Sequence, residues 1–290
     1  MFKRISNSWE LLKASARVLS SDKKLIVFPL VSMIGVIIVT ITFAVPLLMS
    51  GVLDRLVSSS RDTNSNSVGI FSFVIGLLFY LVMYTVIYFA NSALVGAVMM
   101  RFRGEEPTLS DGFRIAWQHI GSILGYALIS ATVGMILRWI AEKGIIGRIV
   151  ASLTGFAWNV STYLVVPILV IEGVSPVDAI KRSVTLLKQT WGEQIVGNLS
   201  IGTAFGLIWF VLTLASLLLL SALSSALNSA AIMVGGIALI VVLTIVAGLI
   251  SSALNSIYVV AVYQYAVAGN TGGFFDEALV QEAFRSKKKR

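Results

Sequence analysis

Apolar residues run along this chain in long stretches almost free of charge: Leu25 to Met49, Val68 to Met99, Ile120 to Ile140, Ile146 to Ile171, Ile195 to Leu220 and Ala230 to Ala268. A helix rises about 1.5 Å per residue, so some 20 apolar residues cross a hydrocarbon core of roughly 30 Å. The pattern therefore predicts six transmembrane helices and an all-α polytopic membrane protein. Apolar character is continuous within each run and does not alternate with period two, which argues against a β-barrel. The first run starts late and lacks a small-residue cleavage site, so it reads as a retained helix and not a signal peptide. The second and sixth runs are too long for a straight crossing. They must tilt, bend or project beyond the bilayer, and Gly235, Gly236 and Gly248 are places where the last could bend.

Between the runs the period changes. Apolar residues recur at helical spacing in Ile5, Trp9 and Leu12, in Phe113, Trp117 and Ile120, and in Ile180, Val184, Leu187 and Trp191. The opposite faces carry Lys13, Arg114, Lys181, Arg182 and Lys188. Thr108 with Asp111, and Ser175-Pro176 with Asp178, place helix-start signals ahead of the second and third segments. Tryptophan and leucine on one side with lysine or arginine on the other suit a helix lying in the headgroup plane. Trp9, Lys13, Arg114, Trp117, Lys181, Arg182, Lys188 and Trp191 are accordingly the expected headgroup contacts.

The same segments belong to an internal repeat. Ala90-Asn91-Ser92, Ala157-Trp158-Asn159 and Ala253-Leu254-Asn255 lie in the second, fourth and sixth runs, and each asparagine is followed 13 or 14 residues later by Gly104, Gly173 or Gly269. Asp111 to Trp117 aligns with Asp178 to Val184, and Val280 to Phe284 is a weaker further copy. The expected organisation is one membrane domain over 1–290, built of repeats at 1–104, 105–173 and 174–269 with a basic tail at 270–290. Each repeat pairs an in-plane helix with a membrane hairpin, and three such units suit a pseudo-threefold axis along the membrane normal.

Composition agrees and narrows the chemistry. Of 290 residues, 57% are hydrophobic and 12% charged, too apolar for a soluble core. There is no cysteine and a single histidine, His119, which removes thiolate chemistry, disulfides and most histidine metal sites. The net charge of +8 sits beside the apolar runs, which points to anionic lipid and not to nucleic acid. With both termini in the cytoplasm, inside segments hold 17 of the 22 lysines and arginines, including five in the tail after Phe284. The remaining 5 are Arg55, Arg61, Arg138, Lys143 and Arg148. This asymmetry predicts a multi-pass protein of the cytoplasmic membrane with cytoplasmic termini. The cluster Arg138, Lys143 and Arg148 is the one discordant place.

Two resemblances follow from the residues. The stretch from Val165 to Ser183, with Pro167, Glu172-Gly173-Val174-Ser175-Pro176, Asp178 and Lys181-Arg182, continues to Thr190-Trp191-Gly192-Glu193. Together with Ser8-Trp9-Glu10, Asp22-Lys23-Lys24 and Phe28-Pro29 it resembles an uncharacterised prokaryotic family of six-span membrane proteins. More distantly, the unit of surface helix plus hairpin resembles the membrane domain attached to glycerophosphodiester phosphodiesterases, although nothing here corresponds to a phosphodiesterase domain. The resemblance implies a fold and no activity.

All 14 acidic residues lie outside the six runs, so no midplane carboxylate is available for proton or sodium coupling. Asn91, Asn159 and Asn255 are the intramembrane polar candidates. They are expected mainly to join helices, at about 0.6 kcal/mol per contact and up to about 2. Tyr258, Tyr263, Gln264 and Tyr265 add polarity to the last run. Gly121/Gly125 and Gly202/Gly206 allow close helix approach within the chain. His119 is expected at a headgroup or backbone contact, and the glycosylation-like sequences at Asn159 and Asn198 are false by location. No catalytic set, cofactor or metal site is predicted. The expected function is a non-enzymatic, membrane-organising or partner-binding protein that engages inner-leaflet lipid, with a protein partner or a second copy as further partners. A passive channel or lipid or small-solute transporter near the asparagines is the alternative.

Overall fold

The computed structural model describes residues 13–49, 66–191, 200–227 and 229–269, and every regular element among them is helical. Trp9, the segment Val280 to Phe284 and the basic tail lie outside the described residues. Contacts divide the chain into two compact units, Lys23–Leu186 and the combination of Met1–Asp22 with Leu187–Arg290.

The first of these begins with a short 3₁₀ turn, Lys23–Ile26, that leads into α2 (Val27–Met49). α3 (Asn66–Phe102) packs against α2 and then against α4 (Leu109–Gln118) and α5 (Ile120–Ala141). α5 and α6 (Ile145–Ser161) form a hairpin. A turn at 162–164 separates α6 from the short α7 (Val165–Ile171), which packs on α3, and α8 (Pro176–Trp191) follows. The other unit holds α1 (residues 13–21) and the paired helices α9 (Ser200–Ala226) and α10 (Ala230–Ala268).

Five apolar helical stretches are long enough to span a bilayer: Lys23–Pro46, Phe73–Phe102, Ile120–Ala141, Ile145–Ile171 and Ala231–Ala268. They correspond to five of the six expected runs. The remaining one, Ile195 to Leu220, coincides in part with α9, whose described apolar portion is Phe210–Ala226. The chain is thus an all-α polytopic membrane protein.

The overlong runs are accommodated by a change of environment along one helix. With 37 residues, α3 is about 55 Å long, well beyond a 30 Å core. Its earlier part leaves Phe73, Val74 and Leu78 exposed, as suits residues that face lipid in a spanning helix. From Ser92 to Val98 every residue is buried. α10 repeats this: Val241, Val242 and Leu243 are exposed, whereas Ala253, Ile257 and Val260 to Val262 are fully buried. It runs unbroken through Gly235, Gly236 and Gly248, so the bends expected there are not interruptions of the helix.

Three glycines with left-handed backbone close these buried stretches: Gly104 (φ 84°), Gly173 (φ 65°) and Gly269 (φ 72°). They are the three glycines of the sequence repeat. A side chain at such φ is strained, so the residue type is dictated by the exit from each helix. The stretch before Gly173 differs from the other two, because its helix breaks at 162–164, where its buried segment, Leu164 to Val170, begins.

Candidate functional site

The segments that follow the first two of these glycines start with the same device. At α4, Thr108 accepts from the Asp111 backbone N–H at 3.2 Å, while the Thr108 N–H donates to Asp111 Oδ2 at 3.0 Å and Thr108 Oγ1 to the same oxygen at 2.6 Å. At α8, the Asp178 N–H donates to Ser175 Oγ at 3.3 Å and the Ser175 hydroxyl to Asp178 Oδ2 at 2.7 Å. These reciprocal caps satisfy amide groups that a helix start leaves without partners. The Thr108 hydrogen bonds, helped by Arg114, hold the Asp111 carboxyl below the usual carboxylate range. The Ser175 hydrogen bond, helped by Lys181, does the same for Asp178.

Both helices turn their apolar residues largely toward protein. Phe113 of α4 meets the rings of Phe28 at 5.1 Å and Phe89 at 6.1 Å, and Gly112 and Ala116 are buried. Ala179, Ser183, Leu186 and Leu187 of α8 are buried as well. Sequence periodicity alone does not separate this arrangement from insertion into lipid. What remains outward includes the predicted polar set, Trp117 of α4 and Val177 of α8. Trp117 is 68% exposed although its ring touches Phe89 edge-on at 6.2 Å. Lys13, Arg114, Lys181, Arg182 and Lys188 are exposed. Three of these pair with acids: Arg114 with Asp111 at 2.7 Å, Lys181 with Asp178 at 3.5 Å, and Arg182 with Glu172 at 3.4 Å. Such exposed pairs contribute little to stability and leave the guanidinium and ammonium groups accessible. Trp191 ends α8, with its side chain outside the description.

α8 also reaches into the broken span. The turn at 162–164 takes the Leu164 N–H out of the regular helical pattern, and this buried donor is met by Ser183 Oγ at 3.2 Å. Without that acceptor the interruption would leave a peptide group unsatisfied in an apolar interior. Gly125 of α5 makes a neighbouring close approach, since a Cβ there would press on the Pro176 ring, whereas Gly121 faces open space. The described partner of the Gly121/Gly125 pair is therefore the start of α8. Gly202 and Gly206 lie on α9, their side-chain surroundings outside the description. His119 donates from Nδ1 to the Ile115 carbonyl at 2.9 Å, the backbone contact expected of it.

Asn91 is half-buried on α3, Asn159 is exposed on α6 and Asn255 is exposed on α10. A second polar feature escaped the sequence reading. Tyr80, Tyr84 and Tyr88 occupy successive turns of α3 and stack at 6.1 Å and 5.6 Å between ring centroids. The Tyr88 ring meets Tyr126 of α5 at 4.5 Å, and its hydroxyl donates to Ser130 at 3.0 Å. At the other end of the ladder Arg138 donates to the Tyr80 hydroxyl at 3.5 Å. The signal was present as tyrosine at four-residue spacing, which aligns side chains on one helix face. Among the described residues no three histidine, aspartate or glutamate side chains are grouped to hold a metal ion.

No curated protein matches the chain. A family model described as a family of unknown function, DUF6159, matches residues 70–274, from the lipid-facing part of α3 through the end of α10. That range takes in both capped helices, the tyrosine ladder and the left-handed glycines at 104, 173 and 269, and the chain belongs to this DUF6159 family.

Proposed function

We propose that this protein is a non-enzymatic organiser of the cytoplasmic membrane. Its α4 and α8 form a rim that engages anionic headgroups of the inner leaflet, and a partner protein or a second copy docks beside them. In this reading α9 completes a set of six spans, the three glycine-closed repeats are hairpins of common orientation, and both termini face the cytoplasm. The observation that carries the proposal is the repeated construction of α4 and α8. Each follows a left-handed glycine, starts with a reciprocal cap, turns its apolar side to protein and leaves cations outward, with Trp117 exposed on α4. An outward tryptophan among lysines and arginines at the end of a spanning bundle suits the headgroup layer.

The test uses the full chain in liposomes with Trp117 as the sole tryptophan, the other five replaced by phenylalanine. Lipids brominated near the headgroup should quench Trp117 more strongly than lipids brominated deep in the chain. Anionic lipid should be enriched around it relative to phosphatidylcholine, and the combined Arg114→Gln, Lys181→Gln, Arg182→Gln and Lys188→Gln variant should lose that enrichment. Equal quenching by anionic and zwitterionic lipids in the unaltered rim would overturn the reading.

A further inference from the structure

α5 is about 33 Å long, so the α5–α6 hairpin lies at the membrane end opposite to α4. Arg138, Lys143 and Arg148 crowd this hairpin with Glu142 as the sole acid between them. Two of the cations have partners within the hairpin or on α3. Arg138 pairs with Glu142 at 3.4 Å and reaches the Tyr80 hydroxyl, and the Lys143 ammonium sits 4.7 Å from the Trp139 ring. Among the described residues Arg148 has no ion pair.

The backbone fixes where Arg148 stands. Gly144 turns the chain at φ 96°, and Gly147 is buried so closely against α5 that a Cβ would collide with the Ile140 carbonyl oxygen. Arg148 is the next residue. It lines a shallow, open groove on the surface of α6 together with Ile145, Ile149, Ser152 and Leu153. Ile145, Ile149 and Leu153 follow one another at four-residue spacing, so they form one row descending about 12 Å along α6 from the hairpin toward the middle of the span. Ile145 is 73% exposed and Leu153 66%.

A cation at the interfacial end and an apolar row leading inward require an occupant with an anion joined to hydrocarbon. We infer that this groove binds one anionic diacyl phospholipid of the leaflet opposite to the one engaged by α4 and α8, its phosphate on Arg148 and an acyl chain along Ile149 and Leu153. The site accounts for the one cluster of cations that runs against the charge asymmetry of the chain; its leaflet rests on the orientation proposed above, whereas its residues are distinct from the rim on α4 and α8. Basic positions at helix ends are established headgroup partners, and each contributes about a five-fold gain in affinity near the surface.

Native mass spectrometry of the full chain in detergent, titrated with dioleoyl phosphatidylglycerol or dioleoyl phosphatidylcholine, tests the site. One molecule of phosphatidylglycerol should be retained in preference to phosphatidylcholine. Arg148→Gln should weaken its retention about five-fold. Ser152→Trp, which keeps every charge but fills the groove, should weaken it as well, while Lys181→Gln with Arg182→Gln should leave it unchanged. Equal retention of the two lipids, undiminished retention in either groove variant, or loss in the α8 variant would overturn the proposal.

Discussion

The two ends of the Lys23–Leu186 unit are built on different physical terms. Around Ser92 to Val98, Ala116 and Leu164 to Val170, side chains are buried as in a soluble protein, and the Leu164 N–H there finds a specific partner in Ser183. At the α5–α6 hairpin, Ile146 is 78% exposed, Trp139 and Ile149 are exposed too, and side chains at the surface are solvated by hydrocarbon. Hydrophobic residues are abundant at both ends, so hydrophobicity does not distinguish them. What differs is whether protein or lipid supplies the neighbouring atoms, and the cost of a change in side-chain volume should differ with it.

The largest contrast is expected from truncating matched aliphatic residues. Leu94→Ala, at a fully buried position of α3, should cost about 2–5 kcal/mol through lost contacts and a residual cavity. Ile149→Ala on α6 should fall within about 0.5 kcal/mol, because lipid flows into the space. Denaturation in mixed micelles would measure both, and equal losses would erase the distinction. Next comes Ser183→Ala, which removes the acceptor of the Leu164 N–H. Leaving that buried donor without a partner should cost about 1–3 kcal/mol, and faster amide hydrogen exchange at Leu164 should report the local opening. A smaller loss than that of Ser183→Ala belongs to Tyr88→Phe, midway between the ends. It deletes a hydroxyl hydrogen bond to Ser130 while keeping the ring stack, and about 0.6 kcal/mol, at most about 1.7, is expected from thermal unfolding.

The same comparison explains which parts of the structure were legible in the sequence. Helix starts at Thr108 and Ser175 and the glycines at 104, 173 and 269 could be read because local chemistry decides them: a cap needs a hydroxyl three residues before an acid, and a left-handed exit favours glycine. The division of α3 and α10 into exposed and buried parts could not. Lipid and protein interior select the same residues, so one unbroken apolar run covers both environments. The turn at 162–164 was equally hidden, because its decisive partner, Ser183, comes 19 residues later. For α4 and α8 the apolar stripe was visible, but its chief partner, other helices of the bundle, depends on tertiary packing. The tyrosine ladder was written plainly at positions 80, 84 and 88. Its hydroxyl partners, Ser130 and Arg138, stand on another helix.

The break after Ser161 also has a consequence for the bilayer itself. α6 has 17 residues and measures about 25 Å, and the chain beyond the turn is enclosed by protein. Lipids bordering this face meet an apolar wall several ångströms shorter than a typical hydrocarbon core, while α5 beside it offers about 33 Å. Such hydrophobic mismatch is relieved by local thinning, by snorkelling of flanking residues such as Arg148 or by association with another helix, so the bilayer along that side should favour a smaller thickness than beside α5.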